Sequence, residues 1–301
     1  MAFRIRKNET LEKGIKRVGI ERLQMAMDQL ENNDNKESAI HSTRKKFKEI
    51  RALLRLIRDH VGKEFYRREN MFFRDSGREF AELRDNTVIL EKLAPMERKI
   101  DEPQQIEDFR NFLDAFGSEK DHKLHRLTEE EGLMDTMKRL VNQGIDRVKN
   151  WPVEQDHFDI IQPGIHRVFK RGLKARKLAY SSPSIDNFHE LRKRVKYLWL
   201  QTAFLSNAWP EILEPLADQL HLLSDWLGED HDYGLVIVGF ENGKLQIDSP
   251  VLQQKLLDIA QAERKKLEDQ AYPLLLKVYA EDPPQFVKRI HAIWLAWRQH
   301  D

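Results

Sequence analysis

Two short stretches of the chain carry a histidine, an arginine and two lysines at the same spacing. One reads His41-Ser42-Thr43-Arg44-Lys45-Lys46-Phe47-Lys48 and the other His189-Glu190-Leu191-Arg192-Lys193-Arg194-Val195-Lys196, with Arg at +3 and Lys at +4 and +7 from the histidine. At about 100° per residue, His41, Arg44, Lys48, Arg51 and Arg55 fall within roughly 80° of one another and form a ridge about 21 Å long. In the second stretch His189, Arg192 and Lys196 hold the ridge, and Trp199 and Ala203 stand where the first has Arg51 and Arg55. Lys45 and Lys193 flank the two ridges. Cations stacked at i, i+3 and i+4 repel one another by a few tenths of a kcal/mol per pair, and Glu49 lies off the ridge. An anion with regularly spaced charges relieves that repulsion through charge-assisted hydrogen bonds, and Arg can hold two phosphate oxygens at once. A linear polyphosphate and a nucleic-acid backbone both have such a charge pattern.

A further basic helix is expected over 163–180. It carries His166, Arg167, Lys170, Arg171, Lys174, Arg176 and Lys177, of which Arg167, Lys170, Arg171 and Lys174 share a face. His41 and His189 are placed near the starts of their helices, where unpaired N–H groups and the helix dipole favour anions. Protonation would strengthen their hold, so affinity is expected to rise as pH falls through the histidine range.

Other chemistry has weaker support. His41 and His189 have no acids beside them at ligand spacing. Asp230-His231-Asp232 resembles part of a His-Asp metal phosphohydrolase, yet that chemistry needs further histidines and an Asp on adjoining helices, and His221 is a poor substitute. His122 and His125 can share a helix face, but two ligands make no metal site. There is no glycine-rich phosphate loop, Ser-His-Asp order or GxSxG elbow. The expectation is a non-enzymatic protein without metal or cofactor. Of the six tryptophans, most at core spacing, only Trp199 lies on a basic ridge, so base stacking is not indicated. That favours polyphosphate, free or in granules, over nucleic acid.

The elements that must position these groups are helices. Leu, Ile, Val and Phe recur at i, i+3 and i+4 through almost the whole chain, and an all-α fold is expected. Phe47, Ile50, Leu53, Leu54 and Ile57 lie opposite the first ridge and should face a core. Only Leu235–Phe240 looks like a strand. Breaks are expected at Asn32–Asn35, Pro95, Asp101–Pro103, Trp151–Pro152, Ser181–Ser184, Trp209–Pro210 and Pro283–Pro284.

The two basic regions are also related to one another. Lys13-Gly14-Ile15-Lys16-Arg17-Val18 precedes one and Pro163-Gly164-Ile165-His166-Arg167-Val168 the other, offset by 150 where the histidines are offset by 148. About 40 residues on come two acidic segments, read as turns: Leu83-Arg84-Asp85-Asn86-Thr87 and Leu227-Gly228-Glu229-Asp230-His231-Asp232. They are expected to orient basic side chains of the neighbouring helix, with Gly228 as a helix C-cap. The pattern indicates a duplication, with halves 1–150 and 151–301.

Composition sets the outer bounds. The 301 residues are 40% apolar, enough for a real core, and 51 Lys and Arg almost cancel 50 Asp and Glu. Local charge is far less balanced: residues 36–68 hold eleven basic and four acidic residues, 163–200 hold ten and two, and 197–243 hold eight acids and no Lys or Arg. The absence of cysteine fits a reducing compartment. No apolar run suits a signal sequence or a membrane span, so a soluble cytoplasmic protein without a membrane partner is expected.

With these residues in view, the sequence resembles the CHAD family, the conserved histidine α-helical domain. The resemblance runs from about Thr10 to His300 and is carried by the two His-x-x-Arg-x-x-x-Lys helices, by Arg51 and Arg55 and by the two acidic segments. It implies two four-helix-type bundles related by a pseudo-two-fold axis, whose basic helices face a central cleft that binds polyphosphate. By the same resemblance His41, Arg44, Lys48, Arg51, Arg55, His189, Arg192, Lys193 and Lys196 would bind it, with Arg167 and Lys174 from the preceding helix; Lys45 and Lys170 join them on the residue reading. Trp199 and Thr87 depart from the family pattern. Some members add a triphosphate-tunnel catalytic domain, but no Glu-x-Glu-x-Lys occurs here, so a stand-alone domain is expected.

Overall fold

The computed structural model describes residues 3–78, 81–154 and 156–299, so His300, where the resemblance ends, lies outside the described residues. Among the described residues eleven α-helices follow one another: α1 (Leu11–Asn32), α2 (Lys36–Leu56), α3 (Lys63–Arg78), α4 (Ala81–Leu93), α5 (Pro103–His125), α6 (Leu133–Lys149), α7 (Gln162–Ser181), α8 (Ile185–Leu205), α9 (Pro210–Glu241), α10 (Pro250–Val278) and α11 (Pro283–Gln299). No strand occurs among the described residues, so the fold is all-α. No helix there is long and apolar enough to cross a membrane.

Local chemistry explains where the helices begin. The side chain of Asn35 accepts from the Ser38 N–H ahead of α2, and that of Ser184 from the Asn187 N–H ahead of α8. Each cap satisfies a donor that the first helical turn leaves open, for about 1 kcal/mol. The two ridge-bearing helices are thus capped alike and have the same length, 21 residues. Prolines open α5, α9 and α10, where the missing N–H costs nothing. At Pro95 the chain tightens into a 3-10 segment, Ala94–Lys99, instead of leaving the helical path.

Two expectations fail in α9. Leu235–Phe240 is helical: Val236, Ile237 and Phe240, at i, i+1 and i+4, are buried on one side of α9. Its neighbouring glycines mark close approaches, not strand ends. A Cβ on Gly239 would stand 2.8 Å from Leu245 Cδ1. The acidic segments are not turns either, since Arg84-Asp85 lies within α4 and Leu227–Asp232 in the middle of α9. Gly228 is therefore no C-cap; its open side admits the guanidinium of Arg192, with Nε 3.7 Å from where a Cβ would be.

The apolar face of α2 is buried as its spacing predicts, with Phe47, Ile50, Leu53, Leu54 and Ile57 all essentially inaccessible. Burying each such side chain is worth roughly 1.5–3 kcal/mol, and this side of the helix is thereby committed to the core. The main core joins α1, α2, α6, α7, α8 and α11, with parts of α9 and α10. A second core packs Ile89, Leu93, Phe109 and Phe116 against Val236, Phe240, Leu252 and Leu256. It joins α4 and α5 to the later part of α9 and the first part of α10. The helix pair α2 and α8 is in contact, and so is the pair α4 and α9. The start of α7 lies directly on the end of α2: a Cβ on Gly164 would stand 2.2 Å from the Leu56 carbonyl oxygen, so only glycine fits.

Candidate anion-binding site

Because α2 and α8 each bury an apolar face, their opposite faces must point elsewhere, and across part of their length they point at one another. Between them lies a pocket of about 300 Å³. From α2 it is lined by Arg44, Lys48 and Arg51, and from α8 by His189, Arg192, Lys193 and Lys196. Arg74 and Arg78 of α3 close one side, and the rings of Phe47, Phe73 and Tyr197 supply apolar wall. Among the described residues no carboxylate lines it.

Such crowding of positive charge leaves a mark on the lysines. Burial, then the charges of Lys196, Arg192 and Arg44, push Lys48 down to about 7, with Asp85 opposing. Burial, then Arg192 and Lys45, push Lys196 down to about 8. Among the described residues no carboxylate reaches ion-pair distance of either ammonium. Arg44, Arg51 and Arg192 are also shifted down, each chiefly by burial. Like charges crowded together in a partly desolvated pocket oppose one another, and an anion placed among Lys48 and Lys196 is the direct remedy.

The acids stand one layer behind. Asp85 of α4 offers a favourable charge to Arg44, and Asp232 and Asp230 of α9 do so for Arg192. Asp230, only 1% exposed, is held by Arg264, whose Nε donates to its Oδ1 at 2.9 Å. The expected partnership between acidic segments and basic helices therefore exists, but from within helices. Glu49 is likewise spent away from the pocket, beneath α2, between Arg22 Nε at 3.6 Å and Lys46 Nζ at 3.4 Å.

Local bonds shape the rims. Arg51 Nε donates to Asn70 Oδ1 at 3.1 Å, and Arg55 Nη1 donates to the Arg51 carbonyl at 2.7 Å while its guanidinium lies 4.0 Å over the Tyr197 ring. Lys193 Nζ pairs with Glu190 at 2.6 Å, and the same carboxylate holds Arg194.

Not every residue expected to share this site does so. His41 lines a neighbouring depression with Arg84, Thr87 and Glu37, Lys45 is exposed beside it, and Arg55 sits on Tyr197 at the pocket's edge. Arg167, Lys170 and Lys174 face a separate groove toward α11. Helical periodicity correctly puts these α7 cations on one face, but it carries no information about which helix that face meets.

The histidines also differ from expectation. His41 and His189 lie one turn beyond the opening turn of their helices. Burial, followed by neighbouring cations, lowers both to about 4, and His231 to about 3. All three are neutral near pH 7, so the expected strengthening of binding through the ordinary histidine range has no basis in these side chains. His189 pairs with His231, Nδ1 to Nδ1 at 3.1 Å, and not with His41. Among the described residues no group of three or more His, Asp or Glu is gathered as metal ligands.

Arg74, Arg78 and His231 were not expected at the site. The repeat holds a signal for one of them: His231-Asp232 is offset by 147 from Arg84-Asp85, and both pairs stand against the ridge helices. Arg74 and Arg78 leave none, because α3 mixes both charge signs and only its packing on α2 brings them to the pocket.

This all-helical frame carries two matched basic helices with acidic residues behind them, and comparison with family models identifies one family for it, the CHAD domain. The sequence model of that family matches residues 20–236, and the chain belongs to the family. No curated protein matches the chain closely enough to add a relative.

Proposed function

We propose that this protein binds inorganic polyphosphate, without catalysis, in the pocket between α2 and α8, the central cleft of a domain built from two repeats. The observation that carries this reading is the pair Lys48 and Lys196, which line the pocket from its two facing helices, have no carboxylate at ion-pair distance among the described residues, and are pushed down to about 7 and 8. A lone phosphate would satisfy part of such a site. A chain of phosphates can meet Arg44, Lys48 and Arg51 on one wall and Arg192 and Lys196 on the other, with a charge-assisted bond at each. Family membership supports the same ligand. The walls hold aromatic rings, but the exposed cations outnumber them and no ladder of rings is available for stacked bases, which favours polyphosphate over nucleic acid. In the cytoplasm the partner would be free polyphosphate or its granules.

The two-repeat reading has support in the packing. The contacts α1 with α2, α1 with α6 and α4 with α5 have counterparts in α7 with α8, α7 with α11 and α9 with α10. The pairs α2 with α8 and α4 with α9 join each helix to its own counterpart, as helices beside a pseudo-two-fold axis do. At the ends of the ridge helices, Gly164 abuts the Leu56 carbonyl and the Ile5 N–H donates to the Phe204 carbonyl at 2.9 Å. Leu56 and Phe204 are 148 apart, the offset of the two histidines.

The test is a comparison of two double variants for binding defined-length polyphosphate at near-physiological salt. Arg44→Gln with Lys48→Gln should weaken binding on the order of a hundredfold, at about 1.5 kcal/mol or more for each charged bond lost. Lys36→Gln with Lys63→Gln, which removes the same charge outside the pocket, should leave it within a factor of a few. Equal losses in the two would reject the pocket as the site.

A further inference from the structure

The α7 cations that miss the pocket are not scattered over solvent. Arg167, Lys170 and Lys174 line one side of a groove of about 750 Å³ whose other side is α11, with Lys288 and His291. Among the described residues no acidic one lines it. Arg167 is tied to Asp59, its Nη2 donating to Oδ1 at 2.6 Å. Lys170, Lys174 and Lys288, by contrast, have no carboxylate within ion-pair distance among the described residues. His291 lies flat on Phe158, ring centroids 4.5 Å apart at an interplanar angle of 4°, so one face of its ring is buried and its edge is fixed. Pro284 and Val287 give the groove an apolar floor, which lowers the local dielectric and strengthens any ion pair formed above it.

The groove is also linked to the pocket. Tyr197 is part of the pocket wall, and Arg55 covers its ring. Arg171, the next cation of α7 and itself a lining residue of the groove, pairs with Glu190 at 3.5 Å and is close enough to Arg194, Arg58 and Arg55 for their charges to oppose its own. A line of guanidinium groups therefore runs from the pocket edge to the groove.

We propose that the groove between α7 and α11 is a second phosphate-binding site, taking a later stretch of the same polyphosphate chain that fills the pocket between α2 and α8. The inference rests on the proposed function and extends it to ligand length: a short chain fills the pocket alone, and a long one engages both sites. The second contact is intramolecular once the first has formed, so the long chain gains affinity without any change in the pocket. Linked contacts of this kind raise affinity on the order of a hundredfold or more when the linker spans both sites.

The experiment compares tripolyphosphate with a long-chain polyphosphate by calorimetric titration of the full chain, as wild type and as Lys170→Gln/Lys174→Gln/Lys288→Gln. The wild type should bind the long chain on the order of a hundredfold more tightly per chain than tripolyphosphate, after correction for the number of equivalent registers. The triple variant should bind tripolyphosphate as the wild type does, which also reports an intact pocket, and should lose most of the long-chain gain. A gain that survives in the variant overturns the second site, as does a folded variant that loses tripolyphosphate as well, because the lysines would then serve the pocket itself. If the wild type binds neither ligand, the proposed function fails and this inference falls with it.

Discussion

His189 and His231 meet through their Nδ1 atoms at 3.1 Å, a contact in which one ring must carry a proton at Nδ1 and the other must offer a lone pair. At least one ring is therefore neutral, and burial together with nearby cations keeps both so, at about 4 and about 3. The pair works as a fixed polar strut joining α8 to α9 behind Arg192, with no charge to contribute near neutral pH. The groups that change charge there are the pocket lysines.

Polyphosphate affinity should accordingly rise as pH falls from about 9 to about 6, following Lys196 at about 8 and Lys48 at about 7, and then level off. Titrations near pH 8 in buffers of different ionisation enthalpy should reveal proton uptake on binding. His41→Ala should keep this profile, whereas Lys48→Met should lose its lower portion. A profile that moves with His41 instead would show that the histidines set it.

Stability of the free protein should run the other way. Lys48 has a folded value near 7 against the ordinary lysine value of 10.5, so between those values the unfolded chain binds more protons, and stability falls as pH falls through that window. Chemical denaturation should find the free protein more stable at pH 9 than at pH 7, with polyphosphate shrinking the difference. Lys48→Met should stabilise the unliganded protein in the same pH window, by an amount that solvent screening of this accessible side chain keeps small.

Arg264 holds the buried carboxylate of Asp230. Arg264→Met leaves that charge stranded and should cost roughly 3–5 kcal/mol. Adding Asp230→Leu should recover part of the loss, because Glu268, which Arg264 also holds at 3.1 Å, still lacks its partner. Urea denaturation of the single and double variants measures both.

Glycines separate packing from propensity. Gly164→Ala would drive a Cβ into the Leu56 and Arg55 carbonyls, at 2.2 and 2.6 Å, and should cost about 3 kcal/mol or more, because backbone cannot yield as a side chain can. Gly117→Ala, within α5 and with nothing nearby, should stabilise by roughly 0.5–1 kcal/mol through helix propensity alone. Thermal melts of the two variants should move in opposite directions.

Much of the frame is legible in the sequence because it rests on local rules. The spacing of Phe47, Ile50, Leu53 and Leu54 announces the buried face of α2, and Pro103, Pro210 and Pro283 mark helix starts. Gly228, Gly234 and Gly239 mislead, since they look like breaks while serving as places where Arg192, Ile185 and Leu245 approach α9. The duplicated spacing identifies seven pocket residues: Arg44, Lys48, Arg51, His189, Arg192, Lys193 and Lys196. It cannot say that Arg167, Lys170 and Lys174 turn toward α11, nor that α3 delivers Arg74 and Arg78, because those are outcomes of packing between distant segments. The histidine expectation failed for a similar reason: burial, which spacing does not encode, decides their charge.

The central claim is most directly tested by calorimetric titration of the purified protein with defined-length polyphosphate at near-physiological salt, with single-stranded DNA, RNA and ATP as competitors. The account predicts tight binding that excess nucleic acid does not displace, with a steep loss of affinity as salt is raised. Absence of binding, or displacement by nucleic acid at comparable phosphate concentration, would contradict it and leave the pocket between α2 and α8 a general anion patch.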